Sequence, residues 1–458
     1  MACVEFEMRP FRVAATVVSL SLFVGVAAAA PKATAHNWPN WRGPNFDGSS
    51  DETNLPVKFS PTQGVKWSVD LPGPSAGTPA IWNDSVFVSS TDPKAAQLLA
   101  ICVDRKTGKV RWKHAVSSGY QPSGKGTPIS LDDRSNYASP SPVTDGKRAI
   151  FFYGNGDLVA FDFAGTKLWA RNIQKEYGDF CFGWTFSSTP QLYNGKLYVQ
   201  VLQRDFAVDG RGKDGSEPFL LALDPASGKQ LWRVVRPTPA KMESREAFTT
   251  PIPHEYNGHR ELLIAGGNLL SGHDPDTGKE LWRWGTWNPN HREPYWRLVP
   301  SPVAGGGVVL GCGPKKEPVY AVKLGGNGDM SESGLAWKSE TRGPVTTDVP
   351  TPLFYRGHFY ILSDVKKNIS CVNPKDGSTV WTTPLEGPSM CWASPTGADG
   401  KLYVMSLKGE VHVLDAEKGT LLATNPMAEG ENELRSSVAV AQGNLFIRTA
   451  SKLFCVGK

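Results

Sequence analysis

The segment LLALDPASGKQLW (220–232) recurs along the chain. It matches LLAICVDRKTGKVRW (98–112), DLVAFDFAGTKLW (157–169), NLLSGHDPDTGKELW (268–282) and NISCVNPKDGSTVW (368–381). EVHVLDAEKGTLLA (410–423) keeps the frame, with Ala423 where tryptophan belongs. In each, a turn glycine precedes that position by four residues, as Gly228 precedes Trp232. Such a pattern predicts a strand, a tight Asp/Gly turn, then a strand carrying a large aromatic.

A second marker lies upstream of each segment. A small–Ser/Thr–Pro run ends at Pro79, Pro142, Pro190, Pro251, Pro302, Pro352 and Pro395, with Val438 in the eighth frame. A Gly or Asp hairpin and a β-rich run follow, such as KLYVQV or KLYVMS. Each unit therefore reads as four strands, A to D, of roughly fifty residues, the size of a propeller blade. The eighth unit, 434–458, stops after strand C. Its missing strand D is expected at the other end, in GVKWSVDL (64–71) with Trp67 at the docking position. Closing the ring this way removes two open sheet edges. The expectation is an all-β, eight-bladed propeller of four-stranded antiparallel blades over 65–458, after an N-terminal extension at 36–64. Unit five is degenerate, ending SGLAW with Trp337.

Composition agrees. With 47 Gly, 36 Pro and 15 Trp in 458 residues, helix bundles are disfavoured. A net charge of +5 is too thin to argue for nucleic acid. Arg9 and Arg12 precede the apolar run Val13 to Val26, and small residues follow through Ala35. Residues 1–35 thus read as a signal peptide, too short in its apolar core for a membrane span. A periplasmic or extracellular, monomeric protein is expected. Of the cysteines, Cys102, Cys371 and Cys455 share one strand-C frame with Ala222 and are expected to be small packing residues. Cys181 and Cys391 precede strand A of opposite blades, where a bridge is not expected. No zinc, haem or esterase motif occurs.

At the A-x-D-x-x-T-G-K-x-x-W pattern the chain resembles the PQQ-like β-propeller repeat family. That resemblance implies one of two branches: quinoprotein alcohol dehydrogenases, or non-enzymatic propellers such as the assembly scaffold BamB. The opening NWPNWRGPNFDG (37–48) also resembles secreted propellers of planctomycete-type bacteria. The quinoprotein branch implies a vicinal Cys-Cys disulfide and a Ca²⁺ held by Glu, Asn and Asp. No adjacent cysteines occur here, and that constellation has no counterpart in the sequence. The BamB branch implies a lipoprotein, and no lipobox cysteine occurs near the leader. The expected function is an exported, BamB-like binding or assembly scaffold without catalytic or metal-ligating residues and without a cofactor. The alternatives are a PQQ-dependent dehydrogenase and a glycan-binding surface protein.

A propeller gathers its D–A and B–C loops on one face. Here Trp184, Arg245, Arg297, Asp348, Trp392 and Arg435 fall on D–A loops and are expected to line any pocket that takes a protein or glycan partner. Arginine forks grip carboxylate or phosphate, and tryptophan offers a flat face to a ring or sugar. The loops 117–136 and 203–218 break the repeat and are candidate binding elements. Lys315, Lys316, Lys366, Lys367, Lys408 and Lys452 fall on B–C loops, partly offset by Glu317, Asp364 and Glu410. Trp67, Trp112, Trp169, Trp232, Trp282, Trp337 and Trp381 are the expected docking residues between blades.

Overall fold

The computed structural model describes residues 1–3 and 36–458, apart from 386, 388 and 429. Residues 4–35 of the expected signal peptide lie outside the described residues. The chain divides into a first unit, Met1–Pro31, and a second, Lys32–Lys458. The fold below is that of the second.

Blade three shows how the repeat becomes structure. Its strands are Gln191–Tyr193, Lys196–Val201, Phe219–Leu223 and Gln230–Val235, paired in that order. Asn194 and Gly195 both take positive φ, as a two-residue hairpin requires. At the second turn the Asp224 carboxylate accepts from Ala226 N–H and the Ser227 hydroxyl. Gly228 there has φ +71° and donates to Asp224 O at 2.8 Å. Strand C is fully buried, while strand D is mostly exposed or half-buried, as the outermost strand should be.

Eight such sheets follow one another. The eighth contains Ala439–Ala441, Asn444–Arg448 and Lys452–Gly457, completed by Val65–Asp70 from the N-terminus. Trp67 pairs with Cys455 and Asp70 with Lys452, the closure expected from the sequence. Blade four carries a fifth strand, because Gly328–Asp329 of the degenerate unit pairs in parallel with Trp282 and Arg283.

The docking tryptophans bind each blade to the next. Trp67, Trp112, Trp169, Trp232, Trp337 and Trp381 lie over Gly108, Gly165, Gly228, Gly278, Gly377 and Gly419 of the following blade. A Cβ on any of these glycines would come within 2.5–2.8 Å of the indole. Five of the six indole N–H groups donate to a carbonyl of that turn, from Trp67→Arg105 O (2.7 Å) to Trp232→Pro275 O (3.3 Å). Docking would bury Trp112, Trp169, Trp232, Trp282 and Trp381 between blades, and two corrections are needed. Trp169, Trp232 and Trp381 are only half-buried, as is Trp67, because strand D is outermost. Trp282, fully buried, turns into its own blade and donates to Glu261 Oε2 at 2.6 Å. Gly272 opposite it has no side chain to obstruct the indole, and blade five offers no Asp-Thr-Gly turn to dock on.

The residue opposite each docking position on strand C is small: Cys102, Ala160, Ala222, Gly272, Ala321, Cys371 and Cys455 face tryptophans. The three cysteines are packing residues, buried, unbridged, and with thiols pushed up to about 11 or 12 by desolvation. Cys181 and Cys391 are also buried and unbridged.

The Ser/Thr of the second marker forms a girdle around the axis. Thr78 N–H donates to the Ser141 hydroxyl, Ser141 N–H to Thr189, Thr189 N–H to Thr250 and Thr250 N–H to Ser301. Ser301 N–H donates to Thr351, Thr351 N–H to Ser394, and Ser437 N–H back to Thr78. These inner backbone donors border the channel, and each is satisfied by the neighbouring blade.

The extension 36–64 crosses the face of A–B turns. Trp38, fully buried, pairs with Ile81 of blade one, and Ser49 with Gly397 of blade seven. The buried Arg42 donates to Pro352 O and Asp47 O, both at 2.7 Å, tying blade six to the segment. Gly48 leaves room for that guanidinium, since a Cβ there would lie 2.2 Å from Nη2.

Candidate functional site

The opposite face opens into a funnel on the ring axis, a cavity of about 410 Å³ bordered by all eight blades. Trp41 joins its lining from the N-terminal segment. Because that segment crosses the far face, Trp41 forms a floor rather than part of the rim.

Five of the six expected residues line this cavity: Trp184, Arg297, Asp348, Trp392 and Arg435. On one wall Trp184 sits beside two guanidinium groups. The Cζ of Arg134 lies 4.9 Å from its ring centre and that of Arg297 5.8 Å. Glu243 Oε1 accepts from Trp184 Nε1 at 3.2 Å and stands 3.6 Å from Arg297 Nε. Across the funnel Arg435 Cζ lies 5.0 Å over Trp392, and its Nη2 pairs with Glu433 at 3.1 Å. Stacking on an indole orients a guanidinium while leaving its N–H edge free for a partner. Arg134 is exposed and forms no ion pair among the described residues.

Between these walls stand two carboxylates. Asp348 Oδ1 accepts from Lys315 N–H at 2.9 Å, and Asp348 N–H donates to Asp364 Oδ1 at 3.0 Å. Burial pushes Asp364 up to about 6, aided by the negative charge of Asp348. A third lining carboxylate, Asp132, accepts from both Thr185 N–H and its hydroxyl at 2.7 Å.

Arg245 does not line the funnel and instead pairs with Asp205 of the 203–218 loop at 3.0 Å. It ends the short turn Met242–Arg245, and that turn directs Glu243 inward and Arg245 outward. Beside it, Glu246 is fully buried against Arg204 and Gly183 N–H, and burial raises its pKa to about 7.

Sequence reasoning missed Arg134, Asp132, Trp41, Glu243 and Asp364 as lining or supporting residues. Arg134 and Asp132 fall in the 117–136 loop, whose length was the available signal. That loop packs against the second long loop, where a Cβ on Gly124 would meet Asp209 O at 2.3 Å. Asp364 read as rim charge, yet it is 4% exposed in the funnel wall.

A family model described as outer membrane protein assembly factor BamB matches residues 54–180, 180–355 and 365–456. No curated protein matches the chain. Among solved structures, BamB from Moraxella catarrhalis is 13% identical with a TM-score of 0.59, covering 86% of this chain and 99% of its own. A europium-containing methanol dehydrogenase is 12% identical with a TM-score of 0.60, covering 91% and 90%. Quinohemoprotein alcohol dehydrogenase from Comamonas testosteroni is 13% identical with a TM-score of 0.60, covering 93% and 82%. At such identities the structural likeness speaks for the fold alone. The repeat, the closed ring and a family match over most of the sequence lead to one conclusion: the chain belongs to the BamB family of PQQ-like β-propellers.

Proposed function

We propose that the protein is an exported binding scaffold whose funnel face receives a partner, without catalysing a reaction on it. One observation carries the reading: side chains from four blades and the 117–136 loop converge in the funnel as stacked Arg–Trp pairs, a recognition chemistry rather than a reactive one. Among the described residues, neither histidine nor cysteine lines the funnel.

The quinoprotein alternative makes specific demands that these residues do not fit. No two cysteines are adjacent in the sequence. Among the described residues, no three His, Cys, Asp or Glu side chains converge to hold a metal. Asp132 and Asp364 are already engaged by Thr185 and by Asp348 N–H. Oxygen-rich cages suited to Ca²⁺ need more free donors than this.

The test is to incubate the protein with PQQ and Ca²⁺ and follow dye-linked alcohol oxidation. Background rates are expected. Turnover of about 10 per second, ordinary for an enzyme, would overturn the scaffold reading.

A further inference from the structure

Resting on the scaffold reading, we propose that the funnel binds an acidic sugar, a uronate-type ring with one carboxylate and vicinal hydroxyls.

Two groups at the funnel wall are unmatched among the described residues. Arg134 projects at the funnel wall over Trp184, with no ion pair among the described residues. A guanidinium so placed offers two parallel N–H groups to one carboxylate. Asp348 presents the converse need. Its Oδ1 accepts from Lys315, while its Oδ2 has no donor among the described residues. A carboxylate in that state takes hydroxyl donors, which a sugar ring supplies in adjacent pairs.

The remaining lining agrees. Ser135, Ser139 and Ser187 also border the funnel. The volume, about 410 Å³, lies in the range of small-ligand sites and admits one or two sugar rings.

Charge balance separates the sugar acid from other anions. A phosphate dianion at Arg134 would share the cavity with the carboxylates of Asp348 and Asp364, which repel it. A single carboxylate on a hydroxyl-bearing ring brings an acceptor for Arg134 and donors for Asp348 with one negative charge. An acidic peptide brings several charges and amide groups for which the lining has fewer matched partners.

The experiment is titration calorimetry on the full chain at low salt, pH 7.5, with galacturonic acid, its trimer, the methyl-esterified trimer, polyglutamate and inorganic phosphate. We expect the trimer or the monomer to bind, and the esterified trimer to bind about tenfold more weakly or worse. Binding by the monomer alone indicates a free sugar acid, and stronger binding by the trimer indicates a chain end. Arg134→Ala is expected to weaken uronate binding about tenfold without moving the melting temperature, since Arg134 is exposed. Asp348→Asn should weaken the ester and the acid alike. No uronate binding, or binding unchanged in Arg134→Ala, overturns the proposal. Polyglutamate or phosphate binding that is lost in Arg134→Ala, with no uronate binding, overturns the sugar but leaves the scaffold reading intact. Alcohol oxidation with PQQ and Ca²⁺ would instead overturn the scaffold reading, whatever the sugars do.

Discussion

In the seam between blades three and four, Trp232 lies on Gly278. Both its indole and the Tyr198 hydroxyl donate to Pro275 O, at 3.3 and 3.0 Å. In the seam between blades seven and eight, the Tyr403 hydroxyl donates at 3.1 Å to Pro56 O of the N-terminal segment. There Ala423 replaces the tryptophan, and Val413 rather than alanine stands opposite it. Gly278 lies three residues past Pro275, and three residues past Pro56 comes Phe59, which is buried. Asn425 holds that stretch in place, accepting from Phe59 N–H and donating to Val57 O, both at 2.9 Å. The bulk that one seam takes from strand D, the other takes from a segment more than 300 residues away in sequence. What the repeat demands is a filled volume beside a carbonyl, and the residue that fills it is free to change sides.

The largest test of this comparison removes the distant filler. A chain beginning at Leu71 lacks both the seam segment and the closing strand. It should melt well below one beginning at His36, or aggregate through its open edge. Equal melting temperatures and equal solubility would mean that the ring closes some other way.

Exchanging bulk between the seams comes next. Trp232→Ala should lower unfolding free energy by about 2–4 kcal/mol, less than full burial would give. Ala423→Trp should lower it by about 1–3 kcal/mol through overpacking against Phe59. Adding Phe59→Gly to Ala423→Trp should restore part of that loss. Strictly additive losses in denaturant titrations would break the proposed exchange of sides.

The turns of the regular seams and the N-terminal segment also differ in their response to pH. The turn aspartates of regular blades are held low: Lys106 and Arg105 lower Asp84, and Arg111 brings Asp104 to about 2. Their stabilisation is present above about pH 4 and is lost as pH falls. Asp47 of the N-terminal segment is raised to about 6, chiefly by burial. Its folded form keeps a proton that the unfolded chain has lost, so its contribution falls as pH rises from about 4 to 6. Asp47→Asn should flatten that decline, worth roughly 1–3 kcal/mol, in a pH series of melting curves. An unchanged profile would show that Asp47 does not govern how the segment docks.

The smallest contrast lies within the regular seams. Trp337 donates to Pro374 O at 2.7 Å, whereas Trp381 Nε1 has no acceptor among the described residues. Trp337→Phe should lose about 1 kcal/mol more than Trp381→Phe beyond the change in size. Equal losses would mean that the indole bonds contribute nothing to blade docking.

The architecture was legible because its signals are local and repeated. The Gly-to-Trp spacing and the Ser/Thr-Pro marker each recur within a few residues, and closure followed from one missing strand. The fate of Trp282 was not legible, because it depends on Gly272 across a strand and on a turn absent from another blade. The Ser/Thr of the marker could be counted, but its bond is made to a neighbouring unit about fifty residues on, as from Thr250 to Ser301. In the funnel, Arg245 and Glu243 sit two residues apart in one short turn. Only the fold of that turn decides which of them faces Trp184. Trp41 and Arg134 come from non-repeating stretches, where periodicity has nothing to say.

The closing strand has a consequence in time. Asp70 and Lys452 are 382 residues apart, so the fourth strand of the eighth blade is made first and has no partner until the last strands of the chain emerge. At about 5–20 residues per second, synthesis leaves that edge waiting for roughly 20–80 seconds. Throughout that interval blades one to seven have nothing to close against, and the strand Val65–Asp70 is a sticky edge without its partner. A chain built this way gains from being held extended until it is whole, and it commits to its final shape in one late step at the far terminus.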